Sequence, residues 1–326
     1  MRPPLVSIIS VNYNQAEATC EMLDSIRAQE YGRVEVIVVD NGSRYDAGGD
    51  FRRRFPGLKY IRSEKNLGFA GGNRLGLSLA TGDFLFFLNN DAELTEGCIE
   101  RLVSLFDQVP GLGAASPLIC YPAAVGEPAR IQYAGMTRVH PLTGRNRVSG
   151  HGETDEGQYA VPGETAYAHG AAMMVSQEMI DRVGPMSEDF FLYYEELDWC
   201  AQMRRAGYSV WVEPRARVIH KESLATGKLG ALKTYYLHRN RILFMRRNYN
   251  GWRLAVFIIF LMLITVPKNS LLYLFRGERS NLDAFLLGVF WNIFPGQNNA
   301  FEMQRKRTDL PPGEARGSYI FNQHST

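Results

Sequence analysis

Four short apolar runs, residues 6–11, 34–40, 58–61 and 84–88, alternate with helix-compatible stretches, and that alternation restricts the chain to a layered α/β fold. The runs are rich in β-branched and aromatic residues, as strands are when helices cover both sides of their sheet. Between them, residues 15–29 place Ala18, Met22, Ile26 and Gln29 at helical spacing. Residues 71–80 form a second helical stretch, closed by the stop signal Thr81-Gly82-Asp83. Three runs end on polar side chains: Asn12-Tyr13-Asn14, Asp40-Asn41-Gly42-Ser43 and Asn89-Asn90-Asp91. Ligands of parallel α/β sheets sit beyond the carboxyl ends of the strands, so these tips are expected to converge on one crevice. A buried strand has no structural use for a carboxylate at its tip, whereas a divalent cation there would engage Asp91 and hold a diphosphate. A polar turn is the competing reading of Asn-Asn-Asp.

A chain of 326 residues can bury a full core, as one large domain with an appendage. Its four cysteines, Cys20, Cys98, Cys120 and Cys200, are scattered; they suit neither a zinc site nor a disulfide framework and point to a reducing compartment. Residues 1–5 enter the first strand without a charged stretch and apolar run, so no signal peptide is expected and the protein should stay cytoplasmic. The net charge of +2 conceals an asymmetry: residues 217–326 hold 16 Lys and Arg against 6 Asp and Glu, or +10, leaving −8 for residues 1–216. Nucleic acid and an anionic membrane surface both suit a basic end, but the apolar runs interleaved with this one favour the membrane.

Residues 6–14, 38–43, 66–73 and 88–91, in that order, resemble the family 2 inverting glycosyltransferases of GT-A fold. The likeness continues through Tyr193-Tyr194-Glu195-Glu196-Leu197-Asp198 and Arg204-Arg205-Ala206-Gly207-Tyr208 to His220, and is strongest with the bacterial rhamnosyltransferase-like branch. It implies an α/β, Rossmann-like domain with a mostly parallel sheet over residues 1–222, followed by a basic, apolar helical extension over residues 223–326. Asp40, beside Asn12, would accept hydrogen bonds from the pyrimidine of a dTDP- or UDP-linked sugar. The loop bearing Asn66, Gly68, Gly71 and Asn73 would bring backbone N–H groups and a helix N-terminus to an anionic donor. Asn90 and Asp91 would border the donor, with Asp91 and His220 holding Mn2+ or Mg2+. Relatives usually carry an acidic pair where this chain has Asn89, Asn90 and Asp91, so one carboxylate is replaced by an amide. Glu196 takes the position of the general base, where many relatives have Asp. Residues His169, Gly170, Glu195 and Asp198 fall on the acceptor side, after the irregular stretch 120–168 that resembles a variable acceptor-side insert. Each feature has a plainer reading: an Asx turn for Asp40, a helix-start loop for residues 66–73, a packed histidine for His220, and ordinary N-terminal helix charge for residues 195–198.

The tail reads differently. Residues 235–247 are basic and helical in pattern. The apolar run 254–266 has thirteen residues, short of the ~20 that a perpendicular membrane span needs, and reaching that length requires continuation past Pro267 and Lys268. A second run, 282–294, includes Asp283, Trp291 and Asn292. A headgroup-level anchor and a homo-oligomer interface are the two readings. The expected function is inverting, metal-dependent transfer of a sugar, with rhamnose the expected one, from a nucleoside diphosphate donor to a glycan or lipid-linked acceptor at the cytoplasmic membrane face. A nucleotidyltransferase on a similar scaffold would leave Glu196 without a role. A processive synthase would carry Q-x-x-R-W where this chain has Gln202-Met203-Arg204-Arg205-Ala206. The non-enzymatic rival, a sugar-nucleotide- or membrane-binding module, differs in not hydrolysing donor.

Overall fold

A computed structural model describes residues 2–124, 126–221 and 230–293. Strand and helix alternate through β1 (Val6–Asn12), α1 (Ala16–Arg27), β2 (Val34–Asn41), α2 (Gly48–Arg54), β3 (Lys59–Ser63), α3 (Gly68–Leu77) and β4 (Phe84–Leu88). Then come β5 (Ala92–Leu94), α4 (Cys98–Gln108), β6 (Leu112–Cys120), β7 (Ile131–Tyr133), β8 (Gly163–Glu164), β9 (Ala172–Ser176), α5 (Gln177–Val183), α6 (Glu195–Arg205) and β10 (Ser209–His220). They build one sheet in the order β3-β2-β1-β4-β9-β6-β10-β5, with β7 beside β6 and β8 beside β10. Strands β1 to β4 are mutually parallel, β9 runs antiparallel between β4 and β6, and β6 and β10 are parallel.

Alternate residues explain the two layers. Val6, Ile8, Val36 and Val38 face α1, α2 and α4 through Met22, Leu23, Phe51, Ile99 and Leu102. Ile9, Ile37 and Val39 face the opposite core, which includes Met179, Leu197, Trp199, Ile242 and Phe244. Helix α3 lies directly on β1 and β2 because Gly76 has no side chain: a β-carbon there would come within 2.5 Å of Ile9 Cγ2. The chain reverses its direction across the sheet after β3, entering β4 on the far side of β1, and the crevice at that switch point opens beyond Asn12 and Leu88.

The tail folds as α7 (Gly230–Asn248), α8 (Gly251–Phe260), a π-helical turn at Leu261–Thr265, α9 (Val266–Phe275) and α10 (Arg279–Trp291). The expectation that the apolar run ends near Val266 is corrected: Gly251–Phe275 is one continuous 25-residue helix that passes through Pro267 and Lys268, and its most apolar 18 residues have a mean hydropathy of 2.0. The wide π turn immediately before Pro267 is the physical reason, since it accommodates a ring that clashes with the preceding turn and a nitrogen that cannot donate. Helix α10 returns to α7, where Asn292 Nδ2 donates to Arg239 O at 3.0 Å and Arg246 Nη1 donates to Asn292 O at 2.7 Å. The second expected run, 282–294, corresponds to α10 except for Phe294, which lies outside the described residues, as do 223–229 and 295–326 of the expected C-terminal region.

Candidate active site

The tips of β1 and β2 are in register, Asn12 opposite Asp40, and both side chains are buried. Asp40 Oδ1 accepts from the Ser43 N–H at 2.9 Å, so the Asx turn is formed. Its Oδ2 faces the Tyr60 hydroxyl at 3.1 Å and Arg62 Nε at 3.6 Å. Asn12 Nδ2 donates to Ser43 Oγ at 3.1 Å, and Asn12 Oδ1 accepts from Thr19 Oγ1, also at 3.1 Å. Asn90 Nδ2 donates to the same Thr19 hydroxyl at 3.1 Å, tying the β4 tip to the β1 tip through α1. The amides of Asn12 and Asn90 thus organise the crevice by bonding to each other's supports.

Buried Asn41, beside Asp40, fixes the glycine-bearing loop. Its Oδ1 accepts from Leu67 N–H at 2.9 Å while its Nδ2 donates to Gly68 O at 3.0 Å and Asn66 Oδ1 at 3.1 Å. Asn66 Oδ1 also accepts from the Gly68 N–H at 2.8 Å. Gly68 has φ +76°, and a β-carbon on it would stand 2.3 Å from Phe191 O, so both its backbone and its neighbour demand glycine. Gly71 packs on Leu67 and faces Glu188, and Asn73 is buried with Nδ2 donating to Phe69 O.

At the β4 tip, Asp91 Oδ1 lies 3.1 Å from His220 Nε2 at the end of β10. The other imidazole nitrogen, Nδ1, is 2.7 Å from Gln132 Oε1; an amide oxygen only accepts, so Nδ1 carries a hydrogen, and Nε2 is the ring atom that faces Asp91 and Asn89 Nδ2. A carboxylate oxygen and a neutral imidazole nitrogen this close could share a cation, and a bond such as that to Gln132 would orient the ring for it. No group of three or more His, Cys, Asp or Glu side chains suited to a metal occurs among the described residues. A metal on Asp91 and His220 would therefore take its remaining ligands from donor oxygens and water.

His169 stands against His220, with ring centroids 6.2 Å apart, and its Nδ1 accepts from the Ala171 N–H at 3.1 Å. Gly170 follows, and a β-carbon on it would be 3.7 Å from the Glu196 carboxyl carbon. Asp91, His220, His169, Gly170 and Glu196 therefore form one continuous cluster. Oε2 of Glu195 and of Glu196 are both shielded from solvent and without a hydrogen-bond partner. Burial pushes the Glu196 carboxyl up to about 7, and burial together with the Glu196 charge pushes Glu195 well above the usual carboxylate range. Near neutrality Glu196 therefore gains and loses a proton. Asp198, one turn on, is not brought to this cluster: its carboxylate accepts from Gln202 Nε2 at 2.8 Å and Asn248 Nδ2 at 2.7 Å and lies 3.3 Å from Arg247 Nε, tying α6 to α7.

The turn that delivers the two glutamates is strained. Phe191, Tyr193 and Tyr194 all have positive φ, at 61°, 70° and 74°, a conformation costing on the order of 1 kcal/mol or more per non-glycine residue. Buried Asn240 of α7 holds it: its Nδ2 faces the carbonyls of Phe190, Leu192 and Tyr193 at 2.7, 2.8 and 2.9 Å. Phe191 stacks on Tyr236 of the same helix, and Phe191 O accepts from the Phe69 N–H at 2.7 Å. One short segment thus joins the donor loop, the glutamates and α7.

Residues 7–184 match the family described as glycosyl transferase family 2. The chain belongs to that family. An N-acetylglucosaminyl-diphospho-decaprenol L-rhamnosyltransferase of Mycobacterium tuberculosis is 24% identical over 268 residues, covering 76% of this chain and 86% of that protein. The uncharacterized protein y4gI of Sinorhizobium fredii is 26% identical over 267 residues, but this chain spans 28% of its length. A solved structure of the mannosyltransferase PcManGT from Pyrobaculum calidifontis, in complex with GDP-Man and Mn2+, superposes with TM-score 0.54 at 16% identity over 90% of this chain and 88% of that one. The fold is GT-A.

In this family 2 chain, three contributors were invisible to motif reading. Gln132 lies in the irregular stretch 120–168 and meets His220 from 88 positions away. Asn41 reads in sequence as part of a turn. Asn240 sits inside Tyr-Tyr-Leu-His-Arg-Asn-Arg, a segment whose visible signal is positive charge; a single Asn among the long side chains of that segment is the one hint it offered.

Proposed function

We propose that this chain is an inverting glycosyltransferase that moves a sugar, rhamnose in the first instance, from a dTDP- or UDP-linked donor to a lipid-linked or glycan acceptor at a membrane face. The observation that carries the reading is the Glu196 carboxyl, one oxygen of which is shielded and without a partner, raised by burial to about 7 and set against Gly170 and His169 on the side of the cluster that ends in Asp91 and His220.

Inversion needs a single base to take the acceptor hydroxyl's proton as that oxygen attacks the anomeric carbon. Glu196, raised by burial to about 7, has the right pKa for it. Asp91 and His220 would hold Mn2+ or Mg2+, whose Lewis acidity stabilises the departing nucleoside diphosphate; PcManGT was solved with such an ion and its donor. The N-terminal turn of α3, fixed by Asn41 and Asn66, offers backbone donors to the same diphosphate. Rhamnose and a polyprenyl-linked acceptor are suggested by the mycobacterial relative's activity.

The helix Gly251–Phe275 supports a membrane face. Its most apolar stretch is 17% buried, and Trp252, Ile259, Leu263, Leu274 and Phe275 are exposed. Arg253, Lys268, Arg276 and Arg279 flank or interrupt it, as suits anionic headgroups. At about 37 Å it could cross a bilayer core of ~30 Å. Yet Phe257 near its start lies by Arg241 of α7, and Tyr273 near its end packs on Phe285 of α10, itself against His238 of α7. Both ends tied to α7 favour a helix lying in the interface plane.

Glu196→Gln tests the reading: donor binding should persist while transfer falls about 10²–10⁴-fold, the usual share of a general base. The assay is transfer from a panel of nucleotide sugars with manganese and with chelator. Parental rates in the variant remove Glu196 from the chemistry, and parental rates in chelator remove the metal.

A further inference from the structure

Away from the strand tips, the structure holds a second set of cations that no carboxylate among the described residues neutralises. Arg241 of α7 is 4% exposed, its Nε has no hydrogen-bond partner, and among the described residues it forms no ion pair. A buried guanidinium without a counter-ion is costly, and a protein that keeps one has a use for its charge. A loop packs directly on it: a β-carbon on Gly144 would come within 3.2 Å of Arg241 Nε. That loop is a tight turn in which Gly144 N–H donates to His140 O and His140 N–H to Arg145 O, both at 2.8 Å, so exposed Arg145 is set beside Arg241. Arg145 also forms no ion pair with a described residue. The mutual repulsion is felt: burial, then Arg145, lowers Arg241 to about 10, and burial with both arginines drives His238 down to about 3.

The position of this pair is specific. Tyr194, which immediately precedes Glu195 and Glu196, donates its hydroxyl to Gly144 O at 3.2 Å and lies within the fields of Arg241, Arg145 and Glu196 together. On the other side, Phe257 of the apolar helix would be 2.9 Å from that same Gly144 β-carbon, and its ring lies 5.8 Å from the Arg241 guanidinium. The cations thus stand between the base and the first turns of the membrane-suited helix. A glycolipid acceptor has the same order: sugar hydroxyl, phosphate, hydrocarbon.

We propose that Arg241 and Arg145 form a subsite for the phosphate groups that link an acceptor sugar to its lipid. The inference rests on the lipid-linked acceptor proposed above, and it assigns to these residues the positioning of the acceptor hydroxyl at Glu196. Arginine suits the task because its planar fork pairs two phosphate oxygens at once.

The test uses the full chain in neutral detergent. Inorganic pyrophosphate is titrated by calorimetry in the presence of chelator, so that no metal at Asp91 and His220 takes it up. The wild type should bind and Arg145→Ala should bind about tenfold more weakly, the loss of one charge-assisted contact; equal affinities overturn the site. Arg145 is exposed, so this variant folds even where Arg241→Ala fails to. In transfer assays Arg145→Ala should raise KM about tenfold for an isoprenyl-diphosphate sugar, but not for an alkyl glycoside of the same sugar. Equal changes for both acceptors overturn the proposal. Phosphatidylglycerol vesicles without acceptor separate the other source of phosphate: if Arg145→Ala loses vesicle binding while its KM for the diphosphate acceptor stays parental, the pair reads bilayer headgroups and the acceptor assignment falls. Absence of transfer to every acceptor would sink the glycosyltransferase reading alone, since the pyrophosphate titration still decides the site.

Discussion

Glu196 carries two linked consequences at the scale of single residues. A carboxyl whose pKa is raised on folding keeps a proton that the unfolded chain has already released. Its stabilising contribution is therefore complete below the ordinary value of 4.5 and lost as pH rises through about 7. Glu195, raised for the same reason, adds to the trend. Thermal stability is thus expected to fall from about pH 5 to about pH 8 while transfer rises over the same range. Glu196→Gln should flatten the stability slope as well as abolish turnover; a slope identical to the parent's, measured by thermal denaturation across pH, would place the raised titration elsewhere. Asp40 poses a narrower question, because its Asx turn and its exposure to Arg62 and Tyr60 coexist. Asp40→Asn keeps an oxygen for the Ser43 N–H but removes the charge. Nucleotide affinity, read by competition with dTDP or UDP, should drop about tenfold with kcat less affected, as for a contact remote from the reacting carbon. Unchanged affinity would leave Asp40 with the turn alone. The sequence showed which of these residues stand at strand tips, since a polar residue after an apolar run is a local signal. That one oxygen of half-buried Glu196 is shielded and without a partner is a property of what surrounds it, and no local pattern carries that.

At the scale of elements, α7 supports the catalytic turn from behind. Asn240 offers one amide group to three carbonyls of a segment in which three non-glycine residues take positive φ. Its loss leaves those buried carbonyls unsatisfied, at about 1–3 kcal/mol, and frees the turn to relax away from Gly170. Asn240→Ala is expected to lower kcat about tenfold or more at a donor KM near the parental value, alongside a modest fall in Tm. A merely structural role would lower Tm and the active fraction but leave the pH profile intact. A positioning role would also shift the acidic limb toward lower pH, since a displaced Glu196 is less buried. An unshifted limb with parental kcat per folded molecule would refute it. The helices expected over 15–29 and 71–80 were legible as helices because periodicity is local, but their ends were not: the first is Ala16–Arg27, and the second, Gly68–Leu77, starts and stops three residues earlier than expected, ahead of the Thr81-Gly82-Asp83 signal. The continuity of 251–275 was not: Pro267 is a sound breaker in isolation, and only the π turn ahead of it lets the helix proceed.

The whole molecule joins a sheet whose order brings the proposed donor and metal residues together beyond its strand tips to a helical cover that its sequence described only as basic and apolar. The GT-A core was readable because the parallel strands β1, β2 and β4 send their polar carboxyl tips to the same side. How α7, α8 and α10 pack was not, because it depends on buried polar contacts such as Asn292 with Arg239 that have no periodic signature. That packing also changes how the tail must be tested. Ending the chain near Asn250 would strip α10 from α7 and Phe257 from Arg241, damaging the catalytic turn together with any anchor. Ile259→Asp and Leu263→Asp, on side chains 57% and 69% exposed, remove apolar surface without touching that packing. Each buried aliphatic side chain contributes about 1.5–3 kcal/mol, so the double variant should bind vesicles at least tenfold more weakly. Its Tm and dTDP affinity should stay parental. For the wild type, salt should loosen binding to anionic vesicles without abolishing it, because ~1 M salt screens charges beyond about 3 Å but leaves apolar insertion in place. Sedimentation with phosphatidylglycerol or phosphatidylcholine vesicles reads both effects. If instead the double variant turns a lipid-free dimer into a monomer and neither protein sediments with vesicles, the apolar helix is a subunit interface and the membrane reading is wrong.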